Sequence, residues 1–281
     1  MELFRAVLDI WERAMTTNSF KERVHGGETV LGTILPLPSP EVAEVAGLAG
    51  YDFLLLDMEH GPVTVDVLGG LVRACRAVNV VPLARVPEGH PKTILRALDV
   101  GCVGVMVPQV DTPEQAAAVV TATKYAPAGT RSLAGATAAA LWGKVSMSDH
   151  IANSNATTIS VLQIETRRGF EAVEAIARVP GVDVLFIGPS DLSQSLGHPG
   201  TPTHPDIQAA IRRIIGAGRA AGVPVGILAL TPEDVRTYRT LGVTVFVDSL
   251  PRVLLRACQG QVHGMREAAS GAASPTPAHP R

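Results

Sequence analysis

The chain has little charge and almost no excess of either sign: Asp, Glu, Lys and Arg make up 18% of its 281 residues, and the formal net charge is -2. It therefore offers no basic face for phosphate backbones or anionic lipid, which argues against nucleic acid and membrane surfaces as partners and leaves a small molecule. Cysteine is scarce too. Cys75, Cys102 and Cys258 lie far apart and form no Cys-x-x-Cys unit, so they are expected as buried, reduced thiols. Also missing is any apolar run near the ~20 uncharged residues of a membrane span. The stretch from Met1 to Lys21 interrupts its apolar residues with Glu2, Arg5, Asp9, Glu12 and Arg13, which reads as an amphipathic helix, not a signal peptide. A cytoplasmic location is the expectation.

Hydrophobic residues, at 46%, are plentiful enough for a sizeable core and exclude extensive disorder. Apolar, β-branched runs recur, each followed by a segment of helical period, an alternation that predicts parallel strands with crossover helices. The candidate strands are Thr29 to Leu37, Asp52 to Met58, Val80 to Arg85, Gly104 to Val110, Thr158 to Glu165, Val184 to Gly188, Pro224 to Leu228 and Val243 to Asp248. Helices are expected at Pro40 to Leu48, Val65 to Val78, Thr112 to Tyr125, Asp206 to Ala221 and Pro232 to Leu241, several opened by a Ser, Thr or Asp cap. Eight units, with polar residues at the strand C-terminal ends, favour a closed (β/α)8 TIM barrel over an open doubly wound sheet. The chain lacks the Gly-x-Gly-x-x-Gly fingerprint of a dinucleotide fold. Residues 1–27 are expected as a helical arm over the barrel bottom or at a subunit contact, 28–266 as the barrel and 267–281 as a disordered tail. The long insertion from Ala126 to Ser154 is expected to be functional or helical, and is a candidate roof over the site.

Chemistry-bearing residues collect where strands end. After the second strand, Asp57-Met-Glu59-His60-Gly61 passes abruptly from apolar core to three ionisable groups. A carboxylate beside a histidine can fix its tautomer, making His60 a candidate general base or water activator, against the plainer reading of a hydrogen-bonded rim cluster. Arg85 closes the third strand and could hold an oxyanion or form a structural salt bridge. Gln163 and Glu165 share the inward face of the fifth strand by the two-residue period. After the sixth, Gly188-Pro-Ser190-Asp191 presents Asp191 at a short helix start. Glu165 and Asp191 are then two hard oxygen donors suited to Mg²⁺ or Mn²⁺, or else an acid/base pair or helix caps.

These residues resemble the HpcH/HpaI aldolases, metal-dependent class II enzymes that cleave or form 4-hydroxy-2-oxo acids through pyruvate enolate. The likeness runs from about Gly32 to Ala257 and is carried by Asp57-Met-Glu59-His60-Gly61, Ala84-Arg85, Leu98-Asp99-Val-Gly101, Pro127-Ala-Gly129-Thr-Arg131, Gln163-Ile-Glu165-Thr166 and Phe186-Ile-Gly-Pro-Ser190-Asp191-Leu192. The resemblance implies that Glu165 and Asp191 ligate Mg²⁺, Mn²⁺ or Co²⁺. It also implies that Gln163, Ser190 and Asp191 hold the 2-oxo acid, that Arg85 stabilises the enolate oxygen, and that His60 is the base in the Asp57 segment. Further implications are an aspartate matching Asp99 that supports the histidine, from the same or a neighbouring subunit, and a hexamer acting on a pyruvate-like 2-oxo acid and an aldehyde. Ser132 stands where the family is expected to have glycine, and the first strand's end, Leu35-Pro-Leu-Pro38, leaves a pocket that points to no particular aldehyde.

No lysine lies at a predicted strand end; Lys21, Lys92, Lys124 and Lys144 lie in the arm, helices and insertion, which argues against imine chemistry. Gly-rich turns after strands seven and eight are also missing, so an unphosphorylated substrate is expected. The alternatives are an oxaloacetate decarboxylase or enolate-trapping enzyme on the same site, and a non-catalytic metal-binding barrel. His90, His150, His198 and His204 are expected as surface or loop residues.

Overall fold

A computed structural model describes residues 20–270. The arm expected before residue 20 and the tail expected after residue 270 lie outside the described residues. The chain divides into one unit ending at Asp248 and a second beginning at Ser249. Among the described residues, eight parallel strands close into a barrel in sequence order. They are β1 (Val30–Leu35), β2 (Phe53–Asp57), β3 (Val81–Arg85), β4 (Gly104–Val107), β5 (Ile159–Ile164), β6 (Val184–Ile187), β7 (Val225–Leu228) and β8 (Val245–Ser249). Val30 N–H donates to Thr244 O at 2.9 Å at the seam between the last strand and the first. All eight predicted strands are present. β4 stops short of its expected end because Pro108 has no N–H to give a neighbour and Gln109 turns to a left-handed φ of 51°.

The helices are α1 (Phe20–His25), α2 (Pro40–Leu48), α3 (Val65–Ala77), α4 (Pro91–Asp99), α5 (Pro113–Thr123), α6 (Met147–Thr157), α7 (Arg167–Glu171), α8 (Val173–Ala177), α9 (Pro189–Ser195), α10 (Pro205–Ala221), α11 (Pro232–Thr240) and α12 (Leu250–Ala269). Many open on proline, whose fixed φ suits the first helical position and whose missing N–H costs nothing there. Ser39, Thr112 and Thr231 accept the free N–H groups of the first turn, as expected of caps. The second unit is represented by α12, which runs past the expected barrel boundary at residue 266. Among the described residues no helix is long and apolar enough to cross a membrane.

Inward side chains from around the barrel fill it, among them Phe53, Leu55, Leu83, Met106, Val161, Phe186 and Val247. Burying each large apolar side chain contributes roughly 1.5–3 kcal/mol before entropy is counted. Gly32 makes the room that Phe53 needs: a Cβ there would come within 2.3 Å of the Phe53 ring. From α1, Phe20 and Val24 join the same cluster, with Phe20 5.2 Å from Phe53. Phe53 begins β2, so the described part of the arm closes the end of the barrel where strands start.

The insertion before β5 does not roof the site. It joins the end of α5 to the start of β5, and in a parallel barrel such connections lie at the strand N-terminal end, opposite the catalytic rim. Its Arg131 pairs with Asp99, at the end of α4, at 2.8 Å. His150 departs from expectation: it is buried in α6, 3.0 Å from the Tyr125 hydroxyl. Of the cysteines, Cys75 and Cys102 are buried as expected and Cys258 is exposed.

Candidate active site

Strand register brings together residues far apart in sequence. Asp57 and Arg85 are direct partners across β2 and β3. Asp57 accepts two hydrogen bonds from this guanidinium, at 2.9 and 2.7 Å, and both side chains are buried. Burial disfavours the charge on Arg85, but the bonds to Asp57 and the charges of Asp57, Glu59 and Glu165 outweigh it and raise its pKa. The salt-bridge reading of Arg85 is thus realised. It does not exhaust the residue, since Nε also lies 3.4 Å from Glu59 Oε2.

Asp57 shapes the following loop through the backbone, not through the imidazole. Its Oδ1 accepts the N–H groups of Glu59 and His60 at 3.2 and 3.3 Å. Gly61 allows this loop to pass against β1's end, where any Cβ would come 2.6 Å from the carbonyl oxygens of Asp57 and Pro36. The His60 ring remains 66% exposed, and its Nε2 lies 3.9 Å from Glu59 Oε2. The carboxylate beside the histidine is therefore that of Glu59. Burial raises the Glu59 pKa, with Arg85 and His60 opposing and Asp57 and Asp191 adding to the rise.

Gln163 and Glu165 lie side by side at the C-terminal end of β5, as the period of two requires, and Gln163 Nε2 donates to Glu165 Oε2. Glu165 Oε1 accepts the backbone N–H of Gln109 at 3.0 Å. Burial, then the nearby Asp191 charge, pushes the Glu165 carboxyl up to about 7. Asp191 sits in the first turn of α9 and is exposed, so it reaches solvent at the rim beside the buried glutamate. Ser190 precedes it and is likewise exposed.

Gln109 and Glu59 join the candidate site without having been singled out from the sequence. Gln109 acts through its backbone, in a conformation uncommon for a residue with a side chain, and no side-chain pattern announces that. Glu59 was legible as part of its motif, but its placement between Arg85 and His60 needed the fold.

The donor set fits a hard divalent cation. Burial first, and then the Asp191 charge, raise the Glu165 pKa, so a cation between the two carboxylates would favour their ionised forms. Gln163 Oε1 is buried without a hydrogen-bond partner, and Glu59 Oε2 has only its ion pairs with Arg85 at 3.4 Å and His60 at 3.9 Å. Gly188 leaves the space open, since a Cβ there would lie 2.6 Å from Glu165 Oε2 and 2.9 Å from Gln163 Nε2. Gly188→Ala should therefore push the Glu165 carboxylate aside. Metal affinity measured by calorimetry should fall about 10- to 100-fold, while an unchanged affinity would show that the carboxylate has room to spare.

Asp99 is not part of this cluster. It ends α4 on the opposite side of the barrel and is held by Arg131. The buried Lys124 is likewise displaced from the rim. Lys124 Nζ donates to Asn155 O and Thr158 O at 2.9 and 2.7 Å, just before β5 begins, and burial lowers its pKa to about 8.

A closed barrel whose strand ends gather four carboxylates, an amide, a guanidinium and a histidine, in a chain with aldolase relatives, is a carbon–carbon lyase of the aldolase class. The chain belongs to the HpcH/HpaI aldolase/citrate lyase family, which matches residues 31–247. It is 40% identical over 231 residues to 5-keto-4-deoxy-D-glucarate aldolase of Salmonella paratyphi A, covering 82% of this chain and 90% of that protein. A crystal structure of an HpcH/HpaI aldolase/citrate lyase family protein from Burkholderia cenocepacia J2315 is similar with a TM-score of 0.84 and 40% identity, over 89% of this chain and 100% of that one. An HpcH/HpaI aldolase from Desulfitobacterium hafniense DCB-2 superposes with a TM-score of 0.83 at 26% identity, over 89% and 98% of the respective chains.

Proposed function

We propose that this enzyme cleaves a 4-hydroxy-2-oxo acid to a pyruvate-type 2-oxo acid and an aldehyde, and runs the reverse addition, with Glu165 and Asp191 holding Mg²⁺, Mn²⁺ or Co²⁺. The observation that carries the reading is the buried Glu165 carboxyl, raised by burial and by Asp191, within the charge field of Arg85. A cation held there would supply Lewis acidity toward the substrate's keto group and lower the cost of enolate formation. Gln163, Ser190 and Asp191 hold the 2-oxo acid end. Arg85, kept charged and aimed by Asp57, stabilises the negative oxygen that develops as the C3–C4 bond breaks. His60 takes the proton of the C4 hydroxyl, the electrons of that O–H bond form the aldehyde carbonyl, and the C3–C4 pair passes into the enolate. Protonation at C3 completes the 2-oxo acid product.

Asp99 can support His60 only across a subunit boundary, since in its own chain it lies at the other end of the barrel; the reading therefore includes the partner subunit's Asp99 and a hexameric assembly, as the family resemblance implies. The enzyme is read as cytoplasmic, with the buried thiols of Cys75 and Cys102 in support. Oxaloacetate decarboxylation and a non-catalytic barrel are not favoured, because relatives at 40% identity bear an aldolase name.

The test is pyruvate release from 4-hydroxy-2-oxo acids, with 5-keto-4-deoxy-D-glucarate included because of that relative. EDTA should abolish the release, and added Mg²⁺, Mn²⁺ or Co²⁺ should restore it. Full activity in EDTA would overturn the metal assignment, and decarboxylation of oxaloacetate without any aldol cleavage would overturn the reaction.

A further inference from the structure

The loop joining α9 to α10, with the first turn of α10, carries three ligand-type side chains that the aldolase reading does not use. His198, His204 and Asp206 each place one ligand atom within 4.8 Å of the others. Asp206 Oδ2 lies 3.2 Å from His198 Nε2 and 3.7 Å from His204 Nδ1. Donor atoms around a tetrahedral zinc with bonds of ~2.0–2.1 Å sit about 3.3 Å apart, so these spacings are already close to a coordination polyhedron. The two imidazoles stack at 3.6 Å with planes 18° apart, presenting their edges to the same carboxylate. For both lone pairs to meet one ion the rings must fan apart, and their side-chain exposures of 28% and 37% leave room for that.

The loop is ordered by its own backbone. His198 N–H donates to Ser193 O at 2.7 Å, His198 O accepts from Thr201 N–H at 3.1 Å and Thr201 Oγ1 at 2.7 Å, and His204 N–H donates to Thr201 O at 3.0 Å. Folding has thus already met much of the entropy cost of gathering the ligands. His204 also caps α10, its Nδ1 accepting from Asp206 N–H at 3.3 Å, a long bond whose loss costs little.

We propose that His198, His204 and Asp206 form a second divalent-metal site of the transition-metal class, typified by Zn²⁺, with water filling the remaining position. Two imidazoles and one carboxylate suit Zn²⁺, Ni²⁺ or Cu²⁺, whereas the oxygen donors Glu165 and Asp191 suit Mg²⁺ and Mn²⁺, so the two sites sort ions by donor hardness. The ion joins the end of the helix that carries Asp191 to the start of α10 and stabilises that connection by mass action. This inference does not depend on the aldolase reading.

The full-length protein, stripped with EDTA and returned to saturating Mg²⁺, is titrated with Zn²⁺ by calorimetry, and zinc-soaked crystals are measured at the zinc absorption edge. One zinc per chain with an anomalous peak between His198, His204 and Asp206 is expected. His198→Ala combined with His204→Asn, which keeps a cap, should weaken zinc binding at least about tenfold. Circular dichroism checks that this variant is folded, and Asp206→Asn gives an independent second variant. Equal zinc binding by wild type and both variants, or an anomalous peak only at Glu165 and Asp191, would overturn the site.

Discussion

Glu165→Gln is expected to lower the rate of aldol cleavage by at least about 10³-fold, the equivalent of ~4 kcal/mol of lost electrostatic stabilisation. The substitution also carries a stability signature that a merely damaged active site would not show. Burial and Asp191 push the Glu165 carboxyl up to about 7 from an ordinary 4.5, so the folded chain holds this proton more tightly than the unfolded chain. The corresponding stability of the metal-free fold is fully present below about pH 4.5 and is lost as pH rises through about 7. At pH 8 the ionised carboxylate therefore opposes folding, by up to about 3 kcal/mol. Glutamine removes that opposition, and Gln163 can turn its unpaired Oε1 toward the new amide. Metal-free Glu165→Gln should then melt above wild type at pH 8 and level with it at pH 4. Mg²⁺ should raise the melting temperature of wild type, more at pH 8 than at pH 5.5, and should leave the variant unmoved. An equal Mg²⁺ response in both proteins would remove Glu165 from the metal site.

Arg85→Met should destabilise the fold by about 3–5 kcal/mol, because it strands the buried Asp57 carboxylate without its counter-charge. Adding Asp57→Asn removes that charge while keeping an oxygen for the N–H groups of Glu59 and His60. The double variant should recover most of the lost stability, measured by urea unfolding. Its activity should stay depressed at least about 10²-fold, mainly in kcat, because the guanidinium acts on charge that develops during the reaction. Activity returning along with stability would reduce Arg85 to a structural partner of Asp57.

The two substitutions separate what was legible along the chain from what was not. Glu165 could be read as facing inward beside Gln163, because side chains in a strand alternate without reference to the rest of the molecule. Arg85 could be placed at a strand end, but its partner could not be chosen. Asp57 lies 28 positions earlier, and only the β2/β3 register selects it. The length and composition of the Ala126 to Ser154 insertion predict a functional or helical segment and make it a candidate roof; it is helical from Met147 onward. Its position after a helix and before a strand sends it to the other end of the barrel, a consequence of the order of the parallel units and not of its own length or composition. His150 repeats the lesson, since a histidine without a strand-end motif became a buried partner of Tyr125.

By itself the sequence determined the number and order of the strands, the identity of the chemical groups at their ends and the family they resemble, because periodicity and motif are local properties of a chain. Only the tertiary structure decided that Glu59 lies between Arg85 and His60, that Gln109 lends its backbone N–H to Glu165, and that Asp99 is withdrawn to the far end. Those are distances between segments, and register, closure and burial set them together.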